Sequence, residues 1–252
     1  MTALERHLTK ARLPETDLAR IAPLPTEDKW RLLRNMRGGF SPISYRPARR
    51  HFLDALNMQH SLPMEIEGPS RERLLELVRA DSRSEAEADT NAEVVGLAFD
   101  FMRREGITAS SEEFAPLKLA PGYSAAYWNN AILRWGERLV VINTDFRRGA
   151  GYSPEGRRFA ISVAHQRIRM MGADFADIEL GILSFPAHKN RPRSVRLWVP
   201  EVELFTFDQL SEMTAETLDI WDAVCTEKAA ADRQQAAAAN DDGPLFRTGE
   251  VG

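Results

Sequence analysis

The chain has 252 residues, 43% of them apolar, with 33 Lys and Arg against 37 Asp and Glu and a formal net charge of -4. At roughly 100–200 residues per domain this allows one large domain or two small ones, and it excludes wholesale disorder. No apolar run reaches the ~20 residues of a membrane span, Met1–Lys10 holds no signal-peptide core, and one cysteine, Cys225, excludes an internal disulfide or a cysteine zinc cluster. The expectation is a cytoplasmic protein without membrane contact.

Taken in chain order, residues 1–25 mix charge with Pro14, Pro23 and Pro25 and read as an arm. A short helix opens at Thr26 and carries Trp30, Leu32, Leu33 and Met36. A second runs from Arg49 to Gln59, with Phe52, Leu53 and Leu56 at helical spacing. A third starts at Ser70, whose hydroxyl can cap free N–H groups, and buries Leu74, Leu75, Leu77 and Val78. A fourth spans Asp89 to Arg104 and ends at Gly106. Beyond it, Glu113–Leu119 can be extended. Tyr127–Trp135 and Arg138–Arg147 are rich in β-branched and aromatic residues, and only Gly136-Glu137 separates them, which is a hairpin signal. Ser153-Pro154-Glu155 starts a helix to about Met171. Ile178–Phe185 and Ser194–Val199 are two further strands. A last helix opens at Phe207 and leads into an Ala/Gln-rich and then polar tail. The fold class is α+β: a helical region over 26–106, a mixed-sheet core with flanking helices over 107–228 (αβββαβ-like), and a tail over 229–252.

Charge is segmental. Residues 1–60 hold 11 basic and 6 acidic side chains, 61–120 hold 7 and 13, 121–210 hold 12 and 9, and 211–252 hold 3 and 9. If the basic segments share a face, that face can hold a polyanion despite the acidic total. Charge scattered over solvated surface is the plainer alternative.

A two-residue turn pairs Trp135 with Arg138, Ile132 with Val141, Asn130 with Asn143 and Trp128 with Asp145. Side chains alternate along a strand. Asn130, Ile132, Arg134, Val141, Asn143, Asp145 and Arg147 then share one face. Leu133, Val140, Ile142, Thr144 and Phe146 share the other. The following helix has a broad apolar face and a polar sector of Arg158, Ser162, His165, Gln166 and Arg169. A strand carboxylate can hold Mg²⁺, and a cation two residues along can steady developing charge. Arg157 and Arg158 sit at the positive end of a helix dipole, an unfavourable place that hints at an anionic partner.

Residues 127–210 resemble the RecB-type branch of the PD-(D/E)XK nuclease fold. The residues that carry the resemblance are Tyr127-Trp128-Asn129-Asn130, Val140 to Arg147, Gln166 in the helix, and Glu179-Leu180-Gly181-Ile182-Leu183. The resemblance implies Asp145, Arg147 and Gln166 as catalytic residues. It implies Asp145, Asn130 and Glu93 as ligands of Mg²⁺. The basic residues Arg157, Arg158, Arg169, Arg191 and Arg193 would then hold nucleic acid, DNA before RNA. Two positions depart from the family. An amide stands where its first Asp belongs, and Arg147 stands for its Lys. An amide is a weak ligand for a hard cation, and Arg holds its proton. Both departures describe a degenerate site, in which binding stands beside metal-dependent cleavage. The alternative for Asp145 and Arg147 is an exposed same-strand ion pair of small energetic weight, within a protein-interaction or regulatory module that has no chemistry and binds no nucleic acid.

In the tail, Asp242-Gly243-Pro244-Leu245-Phe246 is similar to the short Leu-Phe peptides that dock on the bacterial DNA sliding clamp. Leu245 and Phe246 match, and the leading Gln of those peptides is absent. The resemblance implies a sliding-clamp contact through Leu245 and Phe246.

Overall fold

The computed structural model describes residues 12–36, 43–58, 68–149, 151–187 and 192–241, with backbone alone from 235. Six helices come first: α1 (Glu15–Ile21), α2 (Thr26–Asn35), α3 (Arg46–Arg50), α4 (Phe52–Ala55), α5 (Arg71–Ala80) and α6 (Glu85–Arg104). Five strands follow: β1 (Thr108–Ser111), β2 (Leu117–Ala120), β3 (Tyr123–Ala125), β4 (Ala131–Trp135) and β5 (Arg138–Asp145). Then come α7 (Pro154–Ala164), β6 (Glu179–Ser184), β7 (Arg196–Trp198) and α8 (Phe207–Asp241). The main sheet has the order β1-β4-β5-β6-β7, and β2 and β3 form a separate hairpin. Only β5 and β6 run parallel, with α7 in the crossover between them. This is the expected mixed-sheet α+β class.

Alternation along β5 builds a three-layer body. Val140 and Ile142 join Leu133, Leu183, Phe52, Val95 and Met102 on one side of the sheet. Val141 joins Leu180, Ile182, Phe159 and Val163 on the other, with Leu18 of α1 and Val224 of α8. The hairpin register is the expected one near the turn, Trp135 opposite Arg138 and Ile132 opposite Val141, but the expected pairs Asn130–Asn143 and Trp128–Asp145 are not part of the ladder. Phe146 and Phe185, just past the two parallel strands, stack at 5.8 Å. Phe52 of α4 meets Phe146 edge-on at 5.1 Å and ties the helical layer to the sheet.

Helix ends follow local chemistry. The hydroxyls of Ser70, Ser84 and Ser153 accept hydrogen bonds from the N–H groups of Arg73, Glu87 and Gly156. Thr206 and Gln209 cap each other reciprocally at the start of α8. Past α6, the N–H of Gly106 donates to Arg103 and that of Ile107 to Met102, a Schellman end.

Several elements differ from the sequence reading. The supposed arm contains α1, because Leu18, Ala19 and Ile21 make one apolar face that packs on α7. The two helices touch so closely that a Cβ on Gly156 would lie 2.9 Å from the Ala19 carbonyl oxygen. The single helix expected over 49–59 is two short ones meeting at His51. Strand β4 begins only at Ala131. Upstream, the Tyr127 hydroxyl donates to the Glu15 carbonyl, and the pairing turns irregular: the Asn129 N–H donates to the Ile142 carbonyl, the Ala131 N–H to the Asn129 carbonyl, and Asn129 Nδ2 to Thr144 Oγ1. The helix expected to reach Met171 ends its α-geometry at Ala164 and widens into a π-turn over His165–Arg169. Strand β1 was not expected.

The helical layer is knitted by two buried polar side chains. Asn91 on α6 accepts from the Ala48 N–H at 3.0 Å and donates to the carbonyls of Ser44 at 2.8 Å and Glu87 at 2.7 Å. Replacing it with Ala strands the Ala48 N–H and the Ser44 carbonyl. Asn91→Ala is therefore expected to lower unfolding free energy by about 2 kcal/mol or more, read from urea titration.

Glu87, 1% exposed, accepts from the Arg83 guanidinium, the Arg83 N–H and the Ser44 N–H. These donors pull its carboxyl from 4.5 to about 2, chiefly through the Arg83 side chain. A depressed carboxylate stabilises the fold fully above its ordinary value, and that contribution is lost as pH falls towards the folded value. Burial raises Glu15 and Asp17 instead, so their contribution has the opposite sign, being present at low pH and lost as pH rises. The melting temperature should fall as pH drops from 4.5 towards 2, and Glu87→Gln should flatten that limb in a pH series of thermal melts.

Candidate functional site

The end of β5 carries the polar constellation singled out in the sequence. Asp145 is the last residue of the strand and is 1% exposed. Its Oδ1 accepts from Arg147 Nε at 2.7 Å and from the Arg147 N–H at 3.2 Å, and its Oδ2 accepts from Arg147 Nη2 at 2.8 Å. This bidentate fork closes over two residues and turns the chain out of the sheet. The Arg147 guanidinium lies 4.9 Å from the centre of the Tyr152 ring. The Tyr152 hydroxyl accepts from Asn143 Nδ2 at 3.3 Å. Burial, with the Asp145 charge beside it, pushes that phenol up to about 12, so it stays protonated. Gly151 takes a φ of +73°, and a Cβ there would lie 3.2 Å from Asp145 Oδ2. Only a residue without a side chain lets the loop pass so near the carboxylate.

These groups line a cavity of about 190 Å³, which Arg157, Arg196 and Trp198 also border. A larger cavity of about 850 Å³ lies by the π-turn and the segment 199–204, and His165, Arg169, Arg138 and Glu179 line it. His165 Nδ1 is buried there without a hydrogen-bond partner. Burial, aided by Arg169, lowers its pKa and favours the neutral ring.

The structure brings together only part of the expected site. Asp145 and Arg147 are joined, but as an internal ion pair with the carboxylate buried, which is neither the expected metal site nor the exposed pair of small weight given as its alternative. Gln166 sits in the π-turn and lines neither cavity. Asn130 is exposed, and its carbonyl accepts from the Glu112 N–H at 3.3 Å. Glu93 pairs with Arg148 at 3.0 Å and with Arg193 at 3.5 Å. The three metal candidates therefore do not converge, and among the described residues no group of three or more His, Cys, Asp or Glu could hold a metal ion.

The expected basic surface is dispersed as well. Arg193 is 5% exposed and donates to the carbonyls of Phe185 and Phe146, holding the layers from within. Arg158 lies over the Phe205 ring at 3.9 Å and donates to the Glu203 carbonyl at 2.6 Å, anchoring the segment before α8. Arg169 donates to the Ala176 carbonyl at 3.0 Å. Among the described members of the set, Arg157 borders the Asp145 cavity and Arg158, Arg169 and Arg193 do not. Arg191, Leu245 and Phe246 lie outside the described residues. The sequence reading does not single out Tyr152, Arg196 or Trp198, and Trp198 both packs against the core and borders the cavity. Arg196 and Trp198 are two apart on one strand and so share a face, a signal that could have found them.

An Asp145→Ala variant would leave the partly buried Arg147 guanidinium uncompensated. It is expected to cost about 3 kcal/mol in denaturant unfolding.

The family described as the sliding clamp-binding bacterial toxin SocB matches residues 16–231. The DNA replication inhibitor toxin SocB of Caulobacter vibrioides (strain NA1000 / CB15N) is 37% identical over 215 residues, covering 85% of this chain and 90% of that protein. No solved structure matches. The family match overturns the nuclease resemblance, and with it the DNA-binding and magnesium expectations drawn from that fold. The resemblance rested on Asp-x-Arg at a strand end followed by a Gln-bearing helix. An internal ion pair and a π-turn produce the same text. Among the described residues no helix is long and apolar enough to cross a membrane.

Proposed function

The chain belongs to the SocB family, and on that premise we propose that it binds a bacterial DNA sliding clamp and inhibits DNA replication through that contact. The observation that carries this reading is the extent of the match, which runs from within α1 to within α8 and so takes in every layer of the fold. The closed Asp145–Arg147 fork agrees with a protein-interaction role, since both carboxylate oxygens are committed inside the chain. A cytoplasmic setting suits a replication target.

The contact itself is a short apolar anchor, because peptide docking in a groove concentrates its energy in a few side chains. Two segments qualify. Leu245 and Phe246 form the pair noted in the tail, but they lie beyond the matched span. Clamp-docking peptides carry a leading Gln that the tail lacks. Within residues 16–231 the glutamines are Gln59, Gln166 and Gln209. Gln166 belongs to the π-turn, and Gln209 is spent on the α8 cap. Gln59 remains, with Leu62 three residues on. It directly follows Met58, which bridges to Ala109 on β1. Residues 59–67 lie outside the described residues. The family match favours this internal segment over the tail.

Biolayer interferometry against a purified bacterial sliding clamp tests both. Gln59→Ala with Leu62→Ala should weaken binding about tenfold or more, with an unchanged melting temperature as control. Leu245→Ala with Phe246→Ala should leave it intact. The reverse pattern would assign the anchor to the tail. Absence of binding by the unaltered chain, together with undisturbed clamp-dependent primer extension, would overturn the function.

A further inference from the structure

The cavity at the end of β5 has a charge that its own walls do not balance. Arg147, Arg157 and Arg196 border it, and among the described residues Asp145 is its only acidic wall residue, with Asp17 acting on Arg147 from outside the wall. Arg147 satisfies both oxygens of Asp145, so that carboxylate neutralises one guanidinium and two remain. Arg147 Nη1 is buried and has no hydrogen-bond partner. Arg157 spends its Nε on the Tyr152 carbonyl at 3.2 Å. Among the described residues neither Arg157 nor Arg196 makes an ion pair. Gathering three guanidinium groups around one hollow costs electrostatic repulsion, and an unpartnered buried N–H adds a desolvation cost. A stability role explains the Asp145–Arg147 fork. It does not explain the other two cations.

Two of the three cations, Arg147 and Arg157, are also held in place, while Arg196 is exposed. The Arg147 guanidinium rests on Tyr152 at 4.9 Å, and that of Arg157 rests on Trp198 at 4.8 Å. Stacking on an aromatic face limits the rotamers of each fork before any ligand arrives, which lowers the entropy cost of binding. The wall residues Gly151 and Tyr152 lead into α7, which carries Arg157 and whose first turn has a partial positive charge from its dipole. At about 190 Å³ the hollow is smaller than the ~300–1,000 Å³ pockets that enclose drug-sized ligands. It suits a compact anion.

We propose that this cavity is a binding site for a phosphate group, in the form of inorganic phosphate or the phosphomonoester of a small molecule. A phosphomonoester carries about -1.5 to -2 charges at neutral pH and three strong acceptor oxygens, which matches two uncompensated cations and three guanidinium donors. A carboxylate brings one charge and two oxygens and leaves part of the array unmet. A backbone phosphodiester brings one charge as well. The site needs no chemistry at the ligand, and it is independent of the clamp reading.

The test uses the full chain and inorganic phosphate, followed by the Trp198 indole N–H in ¹⁵N-correlated spectra and by titration calorimetry. Phosphate and glycerol 3-phosphate should both shift the Trp198 signal and saturate it. Arg157→Gln and Arg196→Gln should each weaken phosphate binding about tenfold or more, the scale of losing a charge-assisted hydrogen bond. Arg31→Gln, an exposed residue paired with Asp28 on α2, should leave it unchanged, and melting temperatures of all variants report folding. No shift at Trp198 with phosphate into the millimolar range would overturn the proposal. So would phosphate binding that both cavity variants retain, or a response to a DNA oligonucleotide without one to phosphate or glycerol 3-phosphate. Clamp binding measured on the same variants should be unaffected, so failure here and failure of the replication reading are separable.

Discussion

Strand β5 is buried on both faces, and the other layers answer that demand. It pairs antiparallel with β4 and parallel with β6, so its backbone groups are satisfied only inside a sheet. Val140 and Ile142 need one apolar cover and Val141 another. Helices α3 to α6 supply the first. Helices α1, α7 and α8 supply the second, with Leu13 and Ile21 sealing its margin. A parallel pair requires a crossover, and α7 is that crossover. The close passage of α1 over Gly156 then follows from the room the second layer leaves.

The end of β5 is where this burial stops, and polar groups gather there for that reason. Asp145 is too deep to be left unpaired, and Arg147 is the nearest cation that can reach both of its oxygens. The fork removes the carboxylate from any role as a metal ligand and at the same time fixes the guanidinium at the cavity wall. Arg157 arrives from α7, the β5–β6 crossover itself, and Arg196 from β7, the strand beyond β6. Their meeting is a consequence of topology. The larger cavity beside the π-turn arises similarly, since widening the helix at His165 leaves its Nδ1 without a partner.

The family assignment places these features in a protein whose relatives are named for contact with another protein. A three-layer body of this kind offers a rigid carrier for a short docking segment. The segment 59–67 is bounded by Met58, anchored at β1, and by the start of α5, whose Ser70 cap is in place. Arginines read as a nucleic-acid surface are largely structural: Arg193 is internal, and Arg158 is tied to Glu203 and Phe205.

Much of the local structure was legible in the sequence. Ser70 and Ser153 announced helix starts through their hydroxyls, Gly136-Glu137 announced the hairpin and its register near the turn, and alternation along 138–146 sorted its side chains onto the two faces they occupy. These are short-range effects, set by residues within a turn or a strand of one another. Neither α1 nor β1 was legible. The first gains its stability from α7 and the second from β4, and both partners are distant in the chain. The same holds for the site. Sequence placed Asp145 and Arg147 on one face two residues apart, which geometry alone guarantees. Whether that carboxylate would face a metal, solvent or its own arginine depended on burial, and whether Arg196 would stand beside Arg157 depended on a crossover. Burial and crossover are properties of packed layers, and they come into being only when residues far apart in the chain are brought together.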